Sequence, residues 1–129
     1  MANVDQQIDK RKLTAYALLT WLITPVALLA TVPRLRQLAH GQPGGWFGFR
    51  TVRSTSTIEN WQLAQSLLAD HFTVIGIASL VIAIVAYLVL LSRKDRTLTQ
   101  LWWFTLIVTA LPIIALVFST IYINNLLPY

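Results

Sequence analysis

Three long stretches without Asp, Glu, Lys or Arg dominate this chain of 129 residues. They cover residues 13–33, 71–92 and 97–129, and the third has its apolar centre at 100–123. Each reaches the roughly 20 residues that a helix needs to cross a hydrocarbon layer about 30 Å thick. A helix also satisfies its own backbone hydrogen bonds where no water is present. The sequence therefore predicts an all-α integral membrane bundle with transmembrane helices near 13–33, 71–92 and 100–123.

The amino-acid composition agrees with a membrane protein. Charged residues make up only 12% of the chain, whereas a soluble domain carries about 25%. No composition shift marks a second domain, so residues 1–129 are expected to form one membrane domain. Absence of Cys excludes disulfides and thiolate metal sites.

A cleaved signal peptide is the alternative for the first hydrophobic stretch, because "KRK" precedes it. However, the stretch is longer than a usual signal core, and "LLATVP" is a poor small-residue cleavage site. We therefore expect the first helix to be retained in the membrane.

The distribution of basic residues predicts the orientation of the bundle. The N-terminal tail and the second loop share one side of the membrane and carry six basic residues, against four around the first loop. The six are Lys10, Arg11, Lys12, Arg93, Lys94 and Arg96, and the four are Arg34, Arg36, Arg50 and Arg53. This excess favours a cytoplasmic N-terminus and an outward first loop. The formal net charge of +5 thus indicates contact with membrane lipids and not with nucleic acid.

The ionisable residues do not form a catalytic pattern. The five acidic residues are scattered, His40 and His71 have no evident partner, and no charged residue lies inside a span. Catalysis requires paired acid and base groups, an activated nucleophile or a metal. We therefore expect neither an enzyme nor a cofactor, and we expect His71 to be an interfacial or capping residue.

The first loop and the segment after it, residues 41–69, combine turn, aromatic and helix-start signals. A Pro-Gly-Gly turn at 43–45 precedes Trp46, Phe47 and Phe49, whose rings are expected to pack against the bundle. Ser56 and Glu59 have the spacing of a capping box. An amphipathic helix is predicted near 56–69, with an apolar stripe at Ile58, Trp61, Ala64 or Gln65, and Leu68. It is expected to run into the second span, with a bend near residues 70–71.

One further pattern concerns the packing of the helices. Gly76, Ala78, Ser79, Ala83 and Ala86 place small side chains along the second span, which permits close approach of helices within the bundle.

Arg50 allows two hypotheses. As a structural clasp, its guanidinium would bond backbone carbonyls or Glu59 beside the rings of Phe49 or Trp61. As a recognition site, it would instead bind a peptide or a lipid phosphate. The clasp is favoured on chemical grounds.

The motif around Arg50 resembles the signature of the SdpI family of bacterial membrane proteins. The matching residues are Gly48, Arg50, Thr51, Trp61 and Ala64, and Gln65 stands where the family usually has Asn. One span before the motif and two after it also agree, so the resemblance covers roughly residues 13–123. With Phe49 and Glu59, these residues form the expected partner-contact or clasp region.

The resemblance implies a role in the bacterial cytoplasmic membrane. The family's founding role is immunity to a secreted antibacterial toxin, with a signalling arm that holds a cytoplasmic autorepressor at the membrane. Larger members carry additional N-terminal spans, and many short members have no assigned role. The expected partners are therefore a peptide toxin and a cytoplasmic regulator. The alternative is an accessory subunit of a larger respiratory or transport complex, which gene neighbourhood or co-purification would distinguish.

Overall fold

Three α-helices form the computed structural model of the chain: α1 (Ala2–Leu38), α2 (Ile58–Ser92) and α3 (Leu98–Leu126). The structure describes the backbone of residues 2–94 and 97–129, and side chains from residue 11 onward within those ranges. The described residues contain no strand. Segments Arg11–Leu38, Ile58–Ser92 and Leu98–Leu126 are each long and apolar enough to cross a membrane. The predicted all-α class and the three transmembrane helices are confirmed.

α2 is longer than the membrane requires. Its 35 residues correspond to about 52 Å at 1.5 Å per residue, against about 30 Å of hydrocarbon. Arg36 and Asp70 form an ion pair that is 3.1 Å long and about half exposed. Because charged groups are costly in hydrocarbon, we expect α2 to leave the apolar layer near this pair. We therefore expect the turns before Asp70 to stand at the membrane surface on the side of the first loop.

The amphipathic helix predicted near 56–69 is not present as an element of the first loop, although the prediction that these residues run into the second span is correct. Residues 58–69 are the first turns of α2, which continues unbroken through Asp70 and His71. The predicted capping box is also wrong, because the N-cap is Thr57, whose hydroxyl accepts a hydrogen bond from the Asn60 amide at 3.1 Å. The Ser56 hydroxyl instead donates to the Arg53 carbonyl at 2.7 Å. The helix therefore starts one residue later than the sequence pattern indicated.

Two hydrophobic clusters lie at opposite ends of the bundle. Near the first loop, Leu35, Phe49, Ala64, Leu68, Ala69, Ile123 and Leu127 form the first cluster. Near the second loop, Trp21, Ala83, Ala86, Leu90 and Val108 form the other. The indole of Trp21 donates to the Thr105 hydroxyl at 2.9 Å and so joins α1 to α3. Phe49 is the one loop residue in these clusters, so the first loop is part of the packed core.

The small residues of α2 face the bundle as predicted, with one exception. Gly76, Ser79, Ala83 and Ala86 are buried, whereas Ala78 is exposed. Ala78 lies only two positions after Gly76, whereas residues on one helix face are three or four positions apart. Ala78 is therefore on another face of the helix. A Cβ atom at Gly76 would lie 2.8 Å from Cγ and Cδ2 of Leu29. Gly76 therefore allows α1 and α2 to approach closely.

Gly76→Ala should lower the thermal stability of the protein in detergent. Overpacking against Leu29 costs about 1–3 kcal/mol, and the better helix propensity of Ala returns at most about 1 kcal/mol. The matched control is Ala78→Leu, which adds volume on the exposed face and should leave the melting temperature unchanged. Equal melting temperatures for Gly76→Ala and the unmodified chain would contradict this packing.

Candidate functional site in the first loop

The side chain of Gln65 holds the backbone of the first loop. Gln65 has no exposed surface, and its Oε1 accepts a hydrogen bond from the Phe49 amide at 2.9 Å. Its Nε2 donates to the Phe49 carbonyl, also at 2.9 Å. Buried backbone groups need hydrogen-bond partners. The side-chain amide of Gln65 supplies the acceptor and the donor that a neighbouring strand would supply in a β-sheet. This explains chemically why an amide stands at this position of the motif.

Position 48 requires glycine for two reasons, its backbone conformation and the lack of space for a side chain. Its φ of +113° lies in a region that side-chain-bearing residues rarely adopt. A Cβ atom would also lie 2.9 Å from Oε1 of Gln65 and 3.2 Å from the Trp61 ring. The glycine of the motif therefore allows the loop to reach the Gln65 amide.

Trp61 connects three parts of the structure. Its ring has no exposed surface, and Nε1 donates to the carbonyl of Leu38 at 3.1 Å. Leu38 ends α1, where the last carbonyls have no partner within the helix. Ala64, one turn further along α2, is also fully buried and packs in the cluster that contains Phe49. These two motif residues fix the end of α1 and the loop against α2.

Thr51 and Ser54 close a tight turn after the motif's Arg. The Thr51 amide donates to the Ser54 hydroxyl at 2.7 Å, and the Ser54 amide donates to the Thr51 hydroxyl at 3.1 Å. Ser54 is fully buried, and its hydroxyl lies 3.0 Å from the carbonyl of Phe49. The turn therefore supports the same peptide unit that Gln65 holds.

Arg50 lies at the exposed edge of this arrangement. Its Nη1 donates to the Gly45 carbonyl at 2.5 Å, and its Cζ lies 5.5 Å from the centroid of the Trp61 ring. Glu59 is exposed, and the described residues show no ion pair between it and Arg50. The geometry thus has the carbonyl contact and ring contact that a clasp needs, and the guanidinium remains accessible.

Arg50→Lys should cost modest stability if the clasp hypothesis holds. An ammonium group cannot combine the Gly45 hydrogen bond with stacking on Trp61, and a cation–π contact at an exposed site is worth about 0.5–1 kcal/mol. Thermal unfolding in detergent measures the loss. Unchanged stability together with lost biological activity would instead favour the recognition hypothesis.

Sequence reasoning missed the contacts between the first loop and the C-terminal tail. Asn60 is buried, and its Nδ2 donates to the carbonyls of Arg53 at 3.0 Å and Pro128 at 2.8 Å. Arg53 donates to the Asn124 carbonyl at 3.2 Å, donates to the Tyr129 hydroxyl and lies over that ring. The available signal was Asn60, an amide four residues before Ala64 on the buried face, since a buried amide needs partners.

The aromatic residues of the loop do not all pack inward. Phe49 is buried and Phe47 packs against the first cluster, but Trp46 is 88% exposed. The prediction for Trp46 is therefore wrong: its ring meets the edge of the Phe47 ring instead of packing against the bundle. Val52 is also 88% exposed. Trp46 and Val52, which we call the exposed loop pair, are apolar groups free to meet another molecule.

The side chain of His71, on α2, contacts α3. Its Nδ1 is 2.8 Å from the Ser119 hydroxyl, and its ring lies 5.8 Å from that of Tyr122. In the part of the chain that the structure describes, no three His, Asp or Glu side chains group as a metal site requires. His71 therefore connects α2 to α3.

Comparison with known proteins identifies the family. The model of the SdpI/YfhL protein family matches residues 42–123, which is well over half of the chain. The match contains the loop motif, α2 and most of α3, and it begins after α1, so it is shorter than the resemblance over 13–123. No significant match was found among curated proteins or solved structures. The chain, a multi-pass membrane protein, belongs to the SdpI/YfhL protein family.

Proposed function

We propose that this protein is a non-enzymatic immunity or signalling protein of the SdpI type in the bacterial cytoplasmic membrane. The observation that carries the proposal is the exposed loop pair. Trp46 and Val52 are each 88% exposed, yet they flank a motif whose Phe49 backbone is held by Gln65. A rigid support with exposed apolar groups lowers the ordering cost of binding a partner.

The proposed orientation places this loop outside the cell. Six basic residues on the N-terminal side against four on the first-loop side support a cytoplasmic N-terminus. The first loop then meets a secreted peptide toxin. The basic segments on the other side meet an acidic surface of a cytoplasmic regulator.

A protection assay tests the proposal. The protein is produced in a bacterium sensitive to the peptide toxin of an SdpI-type system, and survival is measured with the unmodified chain and with Trp46→Ala. Because Trp46 is exposed, we expect Trp46→Ala to change the free energy of unfolding by less than about 0.5 kcal/mol. Protection against the toxin should nevertheless fall at least tenfold. Gln42→Ala, an exposed polar change in the same loop, should keep protection.

A different result would favour the accessory-subunit alternative. Absence of protection by the unmodified chain, together with its recovery in a stoichiometric complex with large membrane proteins, would overturn the immunity proposal. Affinity purification in mild detergent followed by mass spectrometry measures that outcome.

A further inference from the structure

A cleft of about 320 Å³ opens beside the motif, between residues 48–51, α2 and α3. Leu68 and Phe72 line it from α2, and Leu116 and Thr120 line it from α3. This volume is at the lower end of the range for small-molecule sites, about 300–1,000 Å³. The cleft is separate from the exposed loop pair, neither member of which lines it.

The cleft changes from polar to apolar with depth in the membrane. α2 runs inward from the first loop, so Phe72 lies one turn deeper than Leu68, and Asp70 of the surface ion pair lies between them in sequence. α3 runs outward to Leu126, so Leu116 lies one turn deeper than Thr120. Arg50 and Thr51 form the outer end. A single cleft therefore extends from the headgroup level into the hydrocarbon level.

The outer end of the cleft contains hydrogen-bond donors without a described protein acceptor. Arg50 uses one guanidinium N–H for Gly45 out of five that the group carries, and none of the described carboxylates pairs with it. The Thr51 hydroxyl accepts from the Ser54 amide, and no described residue accepts its proton. By contrast, Thr120 donates its proton to the Leu116 carbonyl. The spare donors of Arg50 and Thr51 suit an anionic group with several acceptor oxygens.

We propose that this cleft is a binding site for an anionic phospholipid. The phosphate lies against the Arg50 guanidinium and the Thr51 hydroxyl, and one acyl chain follows Leu68, Phe72 and Leu116 into the membrane. Charge complementarity favours an anionic lipid, since the first-loop side carries four Arg against Glu59 and Asp70. The site does not depend on the proposed immunity function, because the lipid and the toxin would meet different surfaces.

Lipid binding to the full chain in detergent tests the site. Native mass spectrometry measures retention of phosphatidylglycerol and of phosphatidylcholine, and thermal unfolding is followed with each lipid and with glycerol 3-phosphate. We expect at least tenfold tighter binding of phosphatidylglycerol than of phosphatidylcholine. Glycerol 3-phosphate, which has the phosphate without the chains, should not raise the melting temperature.

Three variants locate the binding. Arg50→Gln removes the phosphate partner, and Leu116→Trp fills the apolar end while leaving the motif intact, so each should lower phosphatidylglycerol affinity at least tenfold. Arg34→Gln makes the same charge change on the same side of the membrane, outside the cleft, and should bind normally.

Several results would overturn the proposal. Equal retention of both lipids or equal loss in Arg34→Gln would show non-specific attraction. Stabilisation by glycerol 3-phosphate alone would indicate a free phosphate ester as the ligand, and a co-purified peptide displaced by Leu116→Trp would indicate a peptide groove. Normal phosphatidylglycerol binding by a folded Leu116→Trp protein would place the lipid elsewhere.

Discussion

Gly48→Ala should destabilise the protein more than the same substitution at any other glycine of the first loop. The new Cβ would lie 2.9 Å from Oε1 of Gln65 and 3.2 Å from both Leu38 and Trp61. Steric crowding in a packed region costs about 1–3 kcal/mol, and the φ of +113° adds strain of about 1–3 kcal/mol. We expect a total loss of about 2–6 kcal/mol, measured by thermal or denaturant unfolding in detergent.

Gly45→Ala is the matched control. Gly45 also has a positive φ, +65°, but no atom lies within 4 Å of a Cβ built there. Only the left-handed conformation is then penalised, by about 1 kcal/mol. If the two alanine variants lose equal stability, the close contact between Gly48 and α2 is not important for the fold.

Gln65→Leu should lower the free energy of unfolding by about 1–3 kcal/mol. The substitution keeps side-chain volume but leaves the buried Phe49 amide without an acceptor, and an unsatisfied buried group costs about 1–3 kcal/mol. The Phe49 carbonyl is less affected because the Ser54 hydroxyl lies 3.0 Å from it. Chemical unfolding of the purified protein measures the difference.

Gln62→Leu provides the comparison on the same helix. Gln62 is only half-buried, and its Nε2 donates to the Gly41 carbonyl at 3.3 Å. Because water can replace this bond, the loss should stay below about 1 kcal/mol. A Gln65→Leu protein as stable as Gln62→Leu would contradict the role assigned to the Gln65 amide.

The helical spans could be predicted because hydrocarbon imposes a length and an apolar composition that are readable in one sequence. The start of α2 was harder, since Ser56 and Thr57 are both good capping residues. The structure uses Thr57 because the Ser56 hydroxyl bonds the Arg53 carbonyl. Local sequence does not decide between two neighbouring hydroxyls.

The motif residues could also be found from the sequence, but their contacts could not. The motif indicates an amide at Gln65, whereas the partner of that amide, the Phe49 backbone, depends on how the loop folds back over α2. The contacts of Arg53 and Asn60 with residues 124–129 join segments more than 60 residues apart. Such pairings follow from the bundle's topology, which brings the first loop and the C-terminal end to the same side.

Site-resolved amide hydrogen exchange in detergent tests most directly whether the motif holds the first loop on the bundle. The Phe49 amide donates to buried Gln65 and the Thr51 amide donates to buried Ser54, so both should exchange slowly, as amides in packed regions do. The amides of Trp46 and Val52, whose side chains are exposed, should exchange much faster. Exchange at Phe49 and Thr51 as rapid as at Trp46 would show that the loop is not held, and would contradict the arrangement described.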